Sequence, residues 1–238
     1  EKTMNVLTCL SQDENEIIAF IRLTLAFIKG ADEQSAKRLS ELFTALTNLF
    51  ANVHRASRIE LQGFFGELYA IKYFYEQGLN INDYWQKKEK MKFDFSISAQ
   101  KKVEVKTTTN ELRVHHFRHE QLLSDLYDIC VISILLREDD QGLSLLELIK
   151  EVQSIATGNF NTLMYIEDFV RNFDESELSN IKFDVAYLNK NLHIYRAEDV
   201  PRFKENQPLG VSKTEYDSDL TNSRYMVDID FISWVQQI

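Results

Sequence analysis

The stretch FDFSISAQKKVEVKTT, residues 93–108, decides the fold. Both of its halves alternate apolar and polar residues with the period of two expected of strands that bury one face. Phe93, Phe95 and Ile97 alternate with Asp94, Ser96 and Ser98, while Val103 and Val105 alternate with Lys102, Glu104 and Lys106. With Ala99, Gln100 and Lys101 as the connecting loop, a hairpin pairs even-numbered positions with even-numbered ones. That register sets Asp94 beside Lys106 and diagonal to Glu104. Two carboxylates and a lysine are thus expected together on the face opposite the apolar side chains.

Around this hairpin the chain has 238 residues, enough to bury a substantial core, and an ordinary apolar content of 44%. Seven glycines and two prolines argue against linkers, collagen-like repeats or disorder. No apolar run is long enough to span a bilayer and no signal peptide opens the chain, so no membrane partner is expected. Cys9 and Cys130 lie far apart and suggest no disulfide framework, which makes a reducing cytoplasm the expected location. The first residue is Glu rather than Met, as expected of a fragment of a longer protein.

The formal net charge of -10 speaks against a generic nucleic-acid coat. Its distribution is uneven. Residues 86–119 hold nine Lys and Arg against four acids, +5 locally, leaving -15 for the remainder, and three of the five histidines. A basic stretch around a carboxylate hairpin points to a polyanionic substrate.

Along the chain, NEIIAFIRLTLAFIK and SAKRLSELFTALTNLFANV carry the three- and four-residue apolar spacing of helices, with ADEQ between them. A longer helix over Ser57–Gln77 is closed by Gly78. Gly63, Gly66, Glu67 and Ala70 share one side of it, so that it can lie close to a sheet with Glu67 at the contact. A strand is expected at Asn82–Gln86, then the hairpin, then a short helix in FRHEQLLSDL and a strand in YDICVISILLRE. That last strand is apolar at nearly every position, as in a strand covered on both faces. A crossover helix between Val105 and Ile132 implies a parallel pair in an otherwise antiparallel sheet. SLLELIKEVQSIATG opens with Ser144 and Glu147 in capping-box spacing and closes at Gly158. NTLMYIEDFVRNF reads as a helix, KFDVAYL and LHIYR as a second hairpin, and YMVDIDFISWV as either strand or helix. The expected fold class is α/β: an N-terminal helical region (1–56), a core (57–137) and C-terminal supporting helices and hairpin (138–238), in one continuous globular unit.

The hairpin carries the parts of phosphodiester hydrolysis. Hard divalent cations take oxygen ligands, commonly one or two carboxylates with water and phosphate. Asp94 and Glu104 supply carboxylates, and the Val105 carbonyl offers a further oxygen. Lys106 shares their face and can hold the attacking water or offset developing negative charge, with Glu67 completing the acidic set from the helix. Ion-paired, solvated residues on the polar face of a hairpin would produce the same pattern, and D-x(n)-E-x-K alone is a weak signal.

FDFSISAQKKVEVKTT resembles the catalytic core of the PD-(D/E)XK nuclease superfamily, which includes many restriction endonucleases. The helix–three strands–helix–strand order is similar to the restriction-endonuclease-like core, and QGFFGELYAI resembles the helix whose glutamate joins its active site. From about residue 10 to 220 the chain is similar to a bacterial group of PD-(D/E)XK proteins often encoded beside DNA methyltransferases and anti-phage genes. GFFGEL, FDF, VEVKTTT, RVHHFRHEQL, GLSLLELI and LHIYRAEDVPRF carry that likeness. The resemblance implies a catalytic set of Glu67, Asp94, Glu104 and Lys106, and a supporting Gln121. It also implies a Mg²⁺ or Mn²⁺ cofactor and cleavage of double-stranded DNA to 5′-phosphate and 3′-hydroxyl ends, in restriction or phage defence. Phe93 stands where the superfamily name has Pro, and the N-terminal β-rich segment common in relatives is missing here. The rivals are a catalytically silent DNA-binding or subunit-interaction member, and an RNase or repair nuclease. A homodimer, or assembly with other restriction or defence subunits, is expected if both strands are cut.

Lys87, Lys88, Arg113, His115, His116 and Arg118 are the expected DNA contacts. His115 and His119 have i,i+4 spacing, but with no cysteine near them phosphate contact is preferred to zinc. Trp85 is expected as a half-buried aromatic rather than a base contact, and Tyr69, Tyr73 and Phe74 as core.

Overall fold

The long helix expected before the hairpin is the element that positions everything after it. Ser57 caps it: its side chain accepts from Glu60 N at 3.3 Å, and Glu60 Oε2 accepts from Ser57 N at 2.7 Å. Gly78, at φ +82°, ends it in the left-handed region that glycine enters without a Cβ penalty. The computed structural model describes residues 7–12, 14–29, 36–49, 56–86, 92–123, 126–171, 173–205 and 207–237.

In chain order the elements are α1 (Glu14–Lys29), α2 (Ala36–Leu49), α3 (Arg58–Glu76), β1 (Phe95–Ser96), β2 (Lys101–Thr108), β3 (Val114–Arg118), β4 (Asp128–Leu135) and β5 (Glu138–Ser144). Then come α4 (Leu145–Ile155), α5 (Phe160–Val170), α6 (Glu175–Ser179), β6 (Lys182–Phe183), α7 (Val185–Asn191), β7 (Leu192–Arg196), β8 (Glu215–Asp219) and α8 (Asp228–Gln236). They divide into two compact units, residues 1–55 with 153–174, and residues 56–152 with 175–238. In the first, α1, α2 and α5 bury Leu23, Phe27, Leu42, Phe160 and Leu163 against one another, and Arg22 pairs with Glu167 at 2.8 Å.

The second unit is the α/β core: a four-stranded mixed sheet in the order β1-β2-β4-β7. β1 is antiparallel to β2, β2 is parallel to β4 with Glu104 beside Val131 and Lys106 beside Ser133, and β7 is antiparallel to β4. The parallel pair expected from a crossover is therefore present, and β4 is buried at every position from Ile129 to Leu135. α3 packs on the face of β2 that carries Val103, Val105 and Thr107. A Cβ at Gly66 would fall far inside contact with Thr107 Cγ2 and 3.6 Å from Val105 Cγ1, whereas one at Gly63 would meet nothing within 4 Å. The close approach expected of the glycine side thus rests on Gly66.

Four local expectations are corrected. The hairpin register is Phe95 with Val103 and Ser96 with Lys102, two residues away from the one that set Asp94 opposite Lys106. Even positions still pair with even, but the turn is wider: Ile97 N and Ser98 N both donate to Lys101 O. Asn82–Tyr84 is a 3₁₀ turn instead of a strand, followed by the Trp85–Phe95 bridge to the sheet. RVHHFR, expected to lead into a helix, is β3, which pairs antiparallel with β8 about a hundred residues later in the chain, and HEQ makes one 3₁₀ turn. KFDVAYL is not a hairpin strand. Asp184 accepts from Tyr187 N at 2.9 Å and starts α7, and only the two residues of β6 pair, with β5.

Candidate active site

β2 divides its side chains between two environments. Val103, Val105 and Thr107 face α3; Glu104 and Lys106 face the segment from β3 to Leu122, and Lys102 on the same side lies over the Tyr127 ring. The register of β1 and β2 carries Asp94 to Glu104, but paired strand ends at Phe95. Asp94 instead takes the next donor with its side chain: Oδ2 accepts from Val105 N at 2.7 Å. The two strands separate at that point. A strand residue's N–H and C=O point to the same edge, so the Val105 carbonyl also faces the opening beside Asp94.

Glu104 is buried, with 4% of its surface exposed. Its Oε1 accepts from Lys106 Nζ at 2.9 Å and from Gln121 Nε2 at 2.5 Å, while Oε2 is buried with no hydrogen-bond partner. Burial pushes the carboxyl up to about 8, helped by the Asp94 charge; Lys106 pulls it down, and Glu67 adds a smaller upward push. Gln121 is itself fixed, its Oε1 accepting from Arg118 N at 3.0 Å. Lys106 Nζ stands 5.2 Å from the centroid of the Phe117 ring, so the ammonium sits on an aromatic floor with the carboxylate beside it.

Glu67, also buried, reaches this region from α3. Its Oε2 accepts from Trp85 Nε1 at 2.7 Å, and the indole is stacked between Phe64 and Phe95. Trp85 is thus a buried partner of the acidic set. Neither its role nor that of Ser133 could be read from sequence. A tryptophan in a loop carries no mark of the carboxylate it will meet, and a serine in an apolar strand reads as a minor interruption.

The structure separates the expected DNA contacts. Lys87 and Lys88 lie outside the described residues. Arg113 and His115 are corrections: they are 4% and 3% exposed and point inward, away from any surface DNA could reach. Arg113 donates to Ser133 O, Ser133 Oγ and Asn191 O at 3.0, 2.9 and 2.7 Å, closing the C-terminal end of α7 and tying it to β4. His115 Nε2 lies 2.7 Å from Ser133 Oγ. Burial, with Lys106 and Arg113 nearby, lowers its ring to about 4, so it is neutral at ordinary pH. His116 and Arg118 are at the surface but face acids of β8. His116 lies between Asp217 and Glu215, whose hydrogen bonds raise its pKa, and Arg118 Nε is 3.5 Å from Glu215. The three histidines diverge, with His119 Nε2 on the Glu205 carbonyl, so zinc has no support from them.

Among the described residues no three His, Cys, Asp or Glu side chains are gathered as a ready-made metal cluster. The donor set that does fit a hard cation is smaller: Asp94, Glu104 and the Val105 carbonyl, with water completing the shell. The observation favouring that fit is Glu104 Oε2, a buried oxygen with no donor, on a carboxyl that burial and Asp94 disfavour as an anion. A divalent cation relieves both.

A family model described as "putative PD-(D/E)XK family member (DUF4420)" matches residues 2–221. No curated protein and no solved structure matches the chain. Among the described residues no helix is long and apolar enough to cross a membrane.

Proposed function

The chain belongs to that PD-(D/E)XK family, whose restriction-endonuclease-like fold it shares, and from this premise we propose that it is a metal-dependent endonuclease hydrolysing phosphodiester bonds in double-stranded DNA. The observation that carries the reading is Glu104: buried beside Asp94, bonded through Oε1 to Lys106 and Gln121, with Oε2 buried and unpartnered.

Asp94, Glu104 and the Val105 carbonyl would hold Mg²⁺ or Mn²⁺, which supplies charge neutralisation at the phosphate and a water of lowered pKa. The chain's own groups do the rest. Gln121 and Lys106 hold Glu104 through Oε1, which leaves Oε2 for the cation. Lys106 is the donor for the attacking water, or for the phosphate oxygens as they gain negative charge. Glu67, held by Trp85, keeps a further negative charge beside the carboxylates. The biological setting supported by the family resemblance is restriction or phage defence, and cutting both strands of a duplex would call for a homodimer or a second subunit.

The test is digestion of supercoiled duplex, single-stranded DNA and RNA with Mg²⁺, Mn²⁺ or chelator, alongside Lys106→Ala and Glu104→Gln. Metal-dependent cutting of duplex DNA, lowered about a hundredfold or more in both variants, is expected. A second reading, a non-cleaving DNA-binding or subunit-contact protein, is favoured by the same raised Glu104 pKa if the carboxyl remains a protonated structural group. That reading predicts no Mg²⁺ uptake in a calorimetric titration and no cutting.

A further inference from the structure

Between the 3₁₀ turn Ala197–Asp199 and β8 the described residues, 200–205 and 207–214, have no regular structure. Long irregular stretches inside a compact unit are uncommon, and binding loops are one of the classes they fall into. Three hydrogen bonds tie this stretch to residues 119–122, and Ser218 Oγ of β8 donates to Pro201 O besides. His119 N donates to Thr214 O at 2.9 Å, His119 Nε2 donates to Glu205 O at 2.9 Å, and Arg202 Nη1 donates to Leu122 O at 2.6 Å. Gln121, which holds Glu104, belongs to the same short turn. The loop is therefore referenced to the same four residues as the acidic site.

The tip of the loop has an unusual surface. Val211 N donates to Pro208 O at 3.0 Å and Gly210 has φ +86°, so Pro208–Val211 is a type II turn with Leu209 at its outer corner. Leu209 is 107% exposed and Val211 50%. Leu209 therefore adds nothing to the core and is free to meet a ligand. Lys204 and Lys213 flank the tip, both exposed. Among the described non-glycine residues Lys213 alone has positive φ, at 59°. Residues 202–213 hold three cations (Arg202, Lys204, Lys213) against one acid (Glu205) in a chain of net charge -10.

We propose that the loop Gln207–Lys213 reads duplex DNA, with Leu209 wedged between base pairs and Lys204 and Lys213 on the flanking phosphates. An apolar side chain at the tip of a tight turn can part a base step, and the lysines match the phosphates on either side. A protein groove would accept Leu209 but gives no account of the cations on both flanks. Parting a step is easiest at flexible pyrimidine–purine steps, so the loop selects sites by deformability as well as by contact. The inference rests on the nuclease reading and adds to it a mode of substrate recognition.

The experiment uses the full chain in a Lys106→Ala background with Mg²⁺ and duplexes carrying 2-aminopurine at successive positions. Binding should raise fluorescence at one step. Leu209→Ala should abolish that rise and weaken binding about tenfold, the scale of one leucine losing its burial. Leu209→Phe should restore both, and the Leu209→Ala defect should shrink on a duplex with a mismatch at the affected step. Unchanged fluorescence and affinity in Leu209→Ala overturns the wedge while leaving the nuclease reading intact. A Leu209→Ala protein that binds DNA normally but loses self-association in ultracentrifugation also overturns it, making the tip a protein contact. No DNA binding by the parent chain overturns the nuclease reading and this inference with it.

Discussion

Replacing Gly66 by Ala isolates the contact on which the placement of α3 depends. In a helix interior, Ala in place of Gly is worth about 1 kcal/mol of propensity. Gly63→Ala should gain that in full, because its new methyl meets nothing within 4 Å. Gly66→Ala gains the same propensity, but its methyl lands inside Thr107 Cγ2, on a β-branched side chain in the middle of the sheet. Overpacking of this kind costs about 1–3 kcal/mol, so Gly66→Ala should come out destabilised by up to about 2 kcal/mol. Thr107→Ser removes the offending carbon, and the next atoms, Val105 Cγ1 and Thr107 Cβ, stand at 3.6 and 3.7 Å, ordinary contact. The double variant should then recover most of the loss, a coupling of about 1 kcal/mol or more. Urea unfolding of the four variants at one pH measures this, and nicking of supercoiled DNA by the same proteins follows Glu67, the next residue along α3. If Gly66→Ala were as stable as Gly63→Ala, or Thr107→Ser gave no recovery, the helix would not be held by that contact.

Three further outcomes are expected. Glu104 has a folded pKa raised to about 8, so its contribution to stability is present at low pH and lost as pH rises from the ordinary glutamate range through about 8. In chelator, Glu104→Gln should flatten that decline in a melting series against pH; an unaltered decline would mean the carboxyl is not buried in solution. His115 is the opposite case. Its folded pKa is lowered to about 4 from 6.5, so its contribution is present above 6.5 and lost as pH falls toward 4, about 3 kcal/mol at most. His115→Gln should remove that acid sensitivity, and equal acid unfolding of both proteins would refute it. Arg113→Ala should destabilise by roughly 2–5 kcal/mol, because it leaves the partners of a buried guanidinium unmade, whereas Arg118→Ala should change stability by less than about 1 kcal/mol. Equal effects on a denaturation curve would place both at the surface.

What the sequence alone determined was local. Period-two alternation identified the strands around Asp94 and Glu104, Gly78 closed α3, and the Ser144–Glu147 capping box opened α4, since a hydrogen bond between residues three apart needs nothing else. The nearly continuous apolar run of β4 pointed to burial on both faces. The candidate set Glu67, Asp94, Glu104 and Lys106 could be proposed from sequence because the motif occupies two short segments. Tertiary structure decided the rest. RVHHFR is a strand because β8, beyond the reach of any local window, offers it a partner, and the same pairing turns His116 and Arg118 toward Glu215 and Asp217. Arg113 is an interior staple because the C-terminus of α7 and the Ser133 carbonyl converge on it, so a positive charge in the sequence did not become a positive surface. The unpartnered Oε2 of Glu104 depends on Gln121 and Lys106 both meeting the other oxygen of the carboxylate. Charge, alternation and caps are properties of neighbours along the chain; which face is buried, and what meets a buried charge there, is a property of neighbours in space.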